Sequence, residues 1–500
     1  MKKFYNENKT LTLYTALLVF FTYGIKLFNN NYAIDTMNLM GNYDGYLLHW
    51  ISIGRPGLVL LKLLTYDYVN VYFMNVLTIV CFALASILIC YFIDLSLKHE
   101  YNKKWLFIIP SIFTTHQIFS EQFYFVLQSF EFALGICLVV LALIGIYHNK
   151  NILVKVLSVL LLSFTFTIYQ SFFVFSCTLI LFKILMDINN KQYANSKLTI
   201  EKFLIKIINF FSISLISLAI SQLIVFCVKK FFNVQSSYLN GMFKWGTQPF
   251  SENIKEIKNY IHEVFLPPIG HDFFTPLLFV CLVLLIIVLI SMAISKKKNI
   301  FSSIVILAGI FTTPFMFAIL QGGRPILRSE VPNFPLVLSL LLFFVSLYLK
   351  NNTSTKFILI SIVTLFSFIQ VRETINIQYS DQARAFEDIR TTEMITNKIY
   401  SMNLDKPSSY KLIVYGGRES RNISKKIGET TGISLYNFAP NTLNESHLIL
   451  MYMGTLGISF DYPTQEEFDK YRYLQSEMDI WPNGNSIKVI DHCIILNLAK

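Results

Sequence analysis

Residues 29–57 read NNNYAIDTMNLMGNYDGYLLHWISIGRPG and carry Asp35, Asp44, His49, Trp50 and Arg55. The apolar run Leu11–Phe28 precedes them, and a nearly uninterrupted hydrophobic sequence follows Gly57. A polar stretch between two pieces that belong in lipid reads as a connection between membrane spans. The rest of the chain agrees. Of 500 residues 54% are hydrophobic and only 15% charged, a balance too apolar for a soluble protein and typical of a polytopic membrane protein. Six of the seven cysteines lie inside apolar runs and no pair has the CxxC spacing, so neither a disulfide framework nor a thiolate zinc site is expected. No small-residue cleavage site follows the first apolar run, which is therefore read as a retained span.

Apolar runs begin near Leu11, Val71, Trp105, Gln128, Ile152, Gln170, Phe203, Pro276, Ile300, Phe334 and Phe357, predicting about eleven spans. The basic clusters Lys2-Lys3, Lys98 to Lys104, His148 to Lys155, Lys183 to Lys197, Lys296 to Lys298 and Lys350 to Lys356 fall at every second connection. Because Lys and Arg stay on the cytoplasmic side, this alternation predicts an N-terminus inside and a tail outside. Residues 372–500 hold 14 Lys and Arg against 16 Asp and Glu, which leaves a net +13 on residues 1–371. The basic excess thus belongs to short loops facing anionic lipid and gives no argument for nucleic-acid binding. The predicted architecture is an all-α membrane bundle over 1–371 and a small α+β extracytoplasmic domain over 372–500. In that domain Lys411–Tyr415 and Ser486–Leu496 are strand-like and Asp381–Tyr400 helix-like. Tyr415-Gly416-Gly417-Arg418 is a turn after a strand and lacks the rest of a phosphate-loop motif.

The same register places Asn29–Asn70, Ser120–Gln128, Asn233–Thr275, Gln321–Val331 and a tight turn at Tyr169-Gln170 on the outer face. Chemistry-bearing residues concentrate there. Asp35 is a carboxylate at the membrane boundary, suited to general-base work, although a solvated loop acid is the simpler account of it alone. Arg55 follows Gly54 and precedes Pro56 in a tight break, where a guanidinium suits a phosphate and lacks the topological reason that cytoplasmic cations have. In Thr115-His116-Gln117 through Gln128-Ser129-Phe130-Glu131 a His, two Glu and three Gln interrupt an apolar sequence. Glu121 is a candidate second carboxylate, the Gln residues serve equally as interhelical hydrogen-bond partners, and His116, with no HxxxH or HxD partner, reads as a packed residue. Tyr169-Gln170 splits one long apolar run and offers a ring face plus an amide, a combination that sugars use, while a plain helix break explains it more simply. Arg324 and Arg328, four apart beside Gly322-Gly323, would lie on one side of a helix start and suit a diphosphate or phosphodiester, with pairing to Glu330 as the alternative.

The order of these pieces resembles a known family. Ile34-Asp35-Thr36, Trp50-Ile51-Ser52-Ile53-Gly54-Arg55, Glu121-Gln122-Phe123-Tyr124-Phe125 with Gln128-Ser129, Tyr169-Gln170-Ser171 and Arg324 with Arg328 look like the bacterial type II O-antigen glucosyltransferases, over roughly Leu11–Ile389. The resemblance implies a GT-C type bundle in the bacterial cytoplasmic membrane. Such a protein moves a hexose, glucose in that family, from a polyprenyl-phosphate-linked donor to a cell-surface glycan such as an O-antigen or teichoic acid. It implies Asp35 as the general base and Arg324 and Arg328, with Arg55, as holders of the lipid phosphate. Asp44, Glu121, Gln128, Tyr169 and Gln170 fall to the sugar and acceptor. The family often has a second acid close behind the Asp-Thr pair, whereas Met37 and Asn38 follow here, and Asp44 or Glu121 is the substitute. No cofactor is specified; a divalent cation could use Asp35, Asp44 and Glu121, whose spacing by itself defines no metal site. The rival reading is a lipid-linked oligosaccharide flippase, which would spread charge through mid-membrane positions in paired halves. A membrane acyltransferase would show a His-based motif, and His49 and His116 are isolated.

Overall fold

The structure is a computed structural model and describes residues 1–29, 31–65, 70–97, 101–189, 200–236, 240–295, 299–348 and 353–499. Lys98, Lys191, Lys197, Lys296 to Lys298 and Lys350, which entered the charge reading, lie outside them. The chain divides into two compact units. One comprises Met1–Phe28, Leu47–Phe123 and Leu127–Ile375; the other comprises Asn29–Tyr46, Tyr124–Val126 and Asn376–Lys500.

The first unit is a helical bundle of a multi-pass membrane protein. Among the described residues eight helices are long and apolar enough to cross a membrane: Lys9–Leu27, Val71–Leu97, Val126–His148, Ser171–Asn189, Ile207–Phe232, Leu277–Ile294, Ile300–Gln321 and Thr353–Tyr400. Ile152–Phe166 and Asn333–Tyr348 are apolar but shorter. Their shortness has a structural setting in the second case. Asn333–Tyr348 packs against Ile108–Phe113, Leu277–Ile294 and Ser171–Asn189, and its residues from Phe334 to Val345 are buried all round. A helix apolar on every face is a core element, and protein rather than lipid surrounds it.

The run expected to span from Trp105 is broken. It becomes a short 3₁₀ turn Lys103–Phe107, a helix Ile108–Phe113, irregular backbone, and a second short helix Phe119–Phe123. Hydroxyls turn back onto the chain at the break: Thr114 Oγ1 donates to the Pro110 carbonyl at 2.6 Å and Thr115 Oγ1 to Ser111 at 2.7 Å. Thr374 Oγ1 in turn donates to the Thr115 carbonyl at 3.1 Å. Non-helical backbone at this depth needs such partners, because lipid supplies none.

The second unit is α+β. Its sheet has the order β1-β3-β2, with β1 Lys411–Tyr415, β2 Ile487–Ile490 and β3 Cys493–Asn497. β1 runs parallel to β3, with Ile413 opposite Ile495, and β2 is antiparallel to β3, with Val489 opposite Ile494. Side-chain alternation divides the sheet cleanly. Leu412, Val414, Ile494 and Leu496 join one core with Ile395, Leu448 and Ile449, while Ile413, Tyr415, Cys493 and Ile495 join another with Phe468, Tyr471 and Leu474. The segment 486–496, expected as one strand, is two. Asp491 and His492 both have positive φ, the geometry of a two-residue hairpin turn, and Asp-His is a weaker signal for it than Asn-Gly or Asp-Gly. The helix expected at 381–400 is the end of a single 48-residue helix Thr353–Tyr400, which contains no Gly or Pro to stop it.

Candidate functional site

Three breaks far apart in sequence converge in the first unit. The helix Tyr43–Ser52 ends at Gly54, whose φ of 85° only glycine adopts without strain, and Arg55 and Pro56 then launch the helix Pro56–Thr65. The Arg55 guanidinium lies 4.5 Å from the centroid of the Tyr169 ring. Tyr169 and Gln170 occupy the turn between Ile152–Phe166 and Ser171–Asn189. The Gln170 amide donates to the carbonyls of Ile53 at 3.1 Å and Gly54 at 3.4 Å, and Gly57 N–H donates to the Thr167 carbonyl at 3.1 Å. The third break is the short helix Leu327–Glu330: the Tyr169 hydroxyl donates to the Arg328 carbonyl at 3.4 Å and Ser171 Oγ to the Val331 carbonyl at 2.8 Å. Side-chain to backbone bonds of this kind fix the two turns against each other. Arg55, Tyr169, Gln170 and the Arg328 backbone are thus held in one cluster.

Arg55 in that cluster has unused capacity. Its Nε is sealed from solvent and, among the described residues, has no hydrogen-bond partner. A cation stacked on an aromatic face with a buried donor to spare is suited to an anion.

The remaining first-unit candidates lie around this group. The helix Phe119–Phe123 carries Glu121, fully buried, and packs against Leu327–Glu330. Gln128 is buried one turn before Phe132, whose ring meets Tyr169 edge-on at 5.2 Å. On the same broken segment Gln117, Ser120 and Gln122 have buried side-chain polar atoms without hydrogen-bond partners among the described residues. His116 is a packed residue: it is fully buried, its Nδ1 accepts from the Ile118 N–H at 3.2 Å, and its ring meets Phe334 edge-on.

Arg324 and Arg328 do not share a helix face. Arg324 stands in non-helical backbone after Gly322, and only Arg328 is helical. Two fixed links explain this. The left-handed φ of 78° at Gly322 ends the preceding helix, and Lys244 N–H donates to the Gln321 carbonyl at 2.7 Å. Arg324 Nη2 donates to Glu263 Oε1 at 2.8 Å, the atom that also meets His271 Nε2 at 3.0 Å. Glu330, the partner considered for the arginines, is buried. Burial pushes its carboxyl well above the usual range, opposed by a hydrogen bond from Tyr260.

Lys62 has no role in the sequence reading, yet its Nζ lies 2.5 Å from Glu131 Oε1 with both side chains fully buried. The signal for it was a lone cation inside the apolar helix Pro56–Thr65.

Asp35 and Asp44 belong to the second unit. Asp35 is half-buried in the first turn of Ile34–Gly41, and Asp44 is exposed in the first turn of Tyr43–Ser52. An acid at a helix N-terminus is favoured by the helix dipole. Ile34–Gly41 packs against the helix Leu443–Thr455 and buries Met37 in the core of the tail with Leu448, Ile449 and Val414. The fit is tight, because a Cβ on Gly41 would come within 2.2 Å of Met451 Sδ. Beside it Asn31 Nδ2 donates to Asp381 Oδ2 at 2.8 Å, and buried Arg384 bridges Asp381 at 3.0 Å and Asp388 at 2.9 Å. Among the described residues no group of three His, Cys, Asp or Glu is placed to hold a metal ion.

No curated protein and no solved structure matched the chain. A family model described as glucosyl transferase GtrII matches residues 24–346, which takes in both arginine breaks, the Tyr-Gln turn and the Asp35 segment. With its bundle of apolar helices, the chain belongs to the glucosyl transferase GtrII family of membrane glycosyltransferases.

Proposed function

We propose that the protein transfers glucose from a polyprenyl-phosphate carrier to a cell-surface glycan on the outer face of the bacterial cytoplasmic membrane. The observation that carries this reading is the stacking of Arg55 on Tyr169, with Arg55 Nε buried and unpartnered among the described residues. A leaving phosphate on a lipid needs fixed cations at the membrane boundary, and Arg55 and Arg328 supply them. Arg324 joins them by exchanging Glu263 for phosphate; its side chain is 52% exposed and such a pair is worth no more than about 1 kcal/mol. Tyr169, Gln170, Gln128, Glu121 and Asp44 are assigned to the sugar and acceptor.

In the reaction Asp35 accepts the proton of an acceptor hydroxyl as its oxygen attacks the anomeric carbon. The bond from that carbon to the phosphate oxygen breaks, and the polyprenyl phosphate leaves with the electron pair, its charge held by the arginines. Residues 1–371 are assigned to the membrane transferase domain and 372–500 to an extracytoplasmic domain.

The test is transfer by the purified chain from polyprenyl-phosphate-glucose to a glycan acceptor. Asp35→Asn should lower kcat about 10²- to 10⁴-fold with folding retained. Arg55→Lys keeps the charge but loses the flat stacked fork, and should raise the donor KM about tenfold. Turnover with a nucleotide sugar alone would defeat the carrier-dependent reading, and a flippase would tolerate Asp35→Asn.

A further inference from the structure

A second cleft lies in the first unit and is lined by none of the residues assigned to transfer. It has a volume of about 850 Å³ and is formed by the start of the helix Lys9–Tyr23, the segment from Asn102 to Ser111 and the start of the helix Thr353–Tyr400. Its walls are apolar, with Leu11, Tyr14, Trp105, Ile108, Leu359 and Ile360. One end is cationic: Lys103, Lys104 and Lys356 line it, with a single acid, Glu7. Lys103 is paired with Glu7. Among the described residues no acid pairs with Lys104 or Lys356, so the rim keeps two uncommitted positive charges.

The arrangement is graded along the helices. Lys356 stands in the first turn of its helix, and Leu359, Ile360 and Val363 follow on the cleft over the next two turns, roughly 10 Å in depth. Trp105 lies beside the lysines, the level at which indoles sit in a membrane. Ile360 and Thr364 are exposed, so the cleft has an open side along the apolar surface of its helix. A charged rim above an apolar slot of this volume matches an amphiphile, and a small soluble anion would leave most of the slot empty.

We propose that this cleft is a binding site for one anionic phospholipid. Its phosphate is held by Lys104 and Lys356 and an acyl chain lies against Leu11, Ile108 and Leu359. By the charge rule it serves the cytoplasmic leaflet, so the site is distinct from donor binding and does not rest on the transfer mechanism.

Native mass spectrometry of the full chain, titrated with phosphatidylglycerol and with phosphatidylcholine, tests it. One phosphatidylglycerol should be retained, at least tenfold more tightly than phosphatidylcholine. At about 1 kcal/mol for each lysine, the double variant Lys104→Gln/Lys356→Gln should bind it about 30-fold more weakly. Lys150→Gln, at an exposed position elsewhere, should leave binding unchanged, and Ile360→Trp should weaken it by filling the slot while both lysines remain. Equal retention of the two lipids, a double variant that binds like the parent, displacement by inorganic phosphate, or preference for polyprenyl phosphate would each overturn the assignment.

Discussion

Glu445 is a buried acid whose behaviour gives the tail a pH dependence. Its carboxylate accepts the N–H groups of Phe438 at 3.2 Å and Ala439 at 2.7 Å, yet burial pushes its pKa from 4.5 up to about 7, with Asp388 adding to the rise. The folded carboxyl therefore holds its proton more tightly than the unfolded chain does. The resulting stabilisation is complete below pH 4.5 and is lost as pH rises through about 7. Its full extent is ~3 kcal/mol. Thermal unfolding of the full chain in detergent should show a midpoint that falls between pH 5 and pH 8, and Glu445→Gln should flatten that slope whatever it does to the absolute midpoint. At this scale residue type was legible in advance and partnership was not. Arg55, Tyr169 and Arg328 were all candidates, but a stack of Arg55 on a ring 114 residues away leaves no local mark on either segment. Lys62 and Arg384 show the same: their acids, Glu131 and Asp381 with Asp388, make sense of them only once the helices are packed.

Among the elements, the helix Ile34–Gly41 couples the candidate base to the tail. Its buried residues Thr36, Met37 and Leu39 would be an unremarkable stretch of loop without the helix Leu443–Thr455 to cover them. Met37 is fully buried in the tail's core. A carboxylate there would be desolvated among Leu448, Ile449 and Val414. Met37→Ala should cost about 2–5 kcal/mol locally and free the helix that carries Asp35. The expected kinetic signature is a fall in kcat with the donor KM unchanged, measured in the same transfer assay; a change in donor KM alone would place the effect at the arginines. The span expected from Trp105 runs through a sequence that His116, Gln117, Glu121 and Gln122 interrupt, and periodicity alone does not distinguish polar residues on a continuous helix from polar residues at a break. The hydrogen bonds of Thr114, Thr115 and Thr374 show why the irregular backbone is tolerated.

On the scale of the molecule, the two compact units are not two consecutive stretches of chain. The second draws on Asn29–Tyr46 and Tyr124–Val126 as well as the tail, and the helix Thr353–Tyr400 runs past the change from one unit to the other at Ile375 and Asn376. A boundary between domains usually falls in an exposed linker, whereas the apolar run ends near residue 371 inside a helix that continues unbroken. The dependence this creates is specific. The short helix Ile34–Gly41 is only eight residues long and has no side-chain N-cap, so it has little stability without the tail core that buries it. A chain ended after Ile375 should keep the bundle, whose core in the first unit is its own, and should lose transfer. Thr36 is 1% exposed in the full chain, and the truncation should uncover it. In a background lacking the exposed Cys227, a Thr36→Cys variant should react with a membrane-impermeant maleimide at least tenfold faster in the truncated chain than in the full one. Equal protection in both would mean that the segment is ordered by something other than the tail, and Asp35 would then have to be placed by the bundle alone.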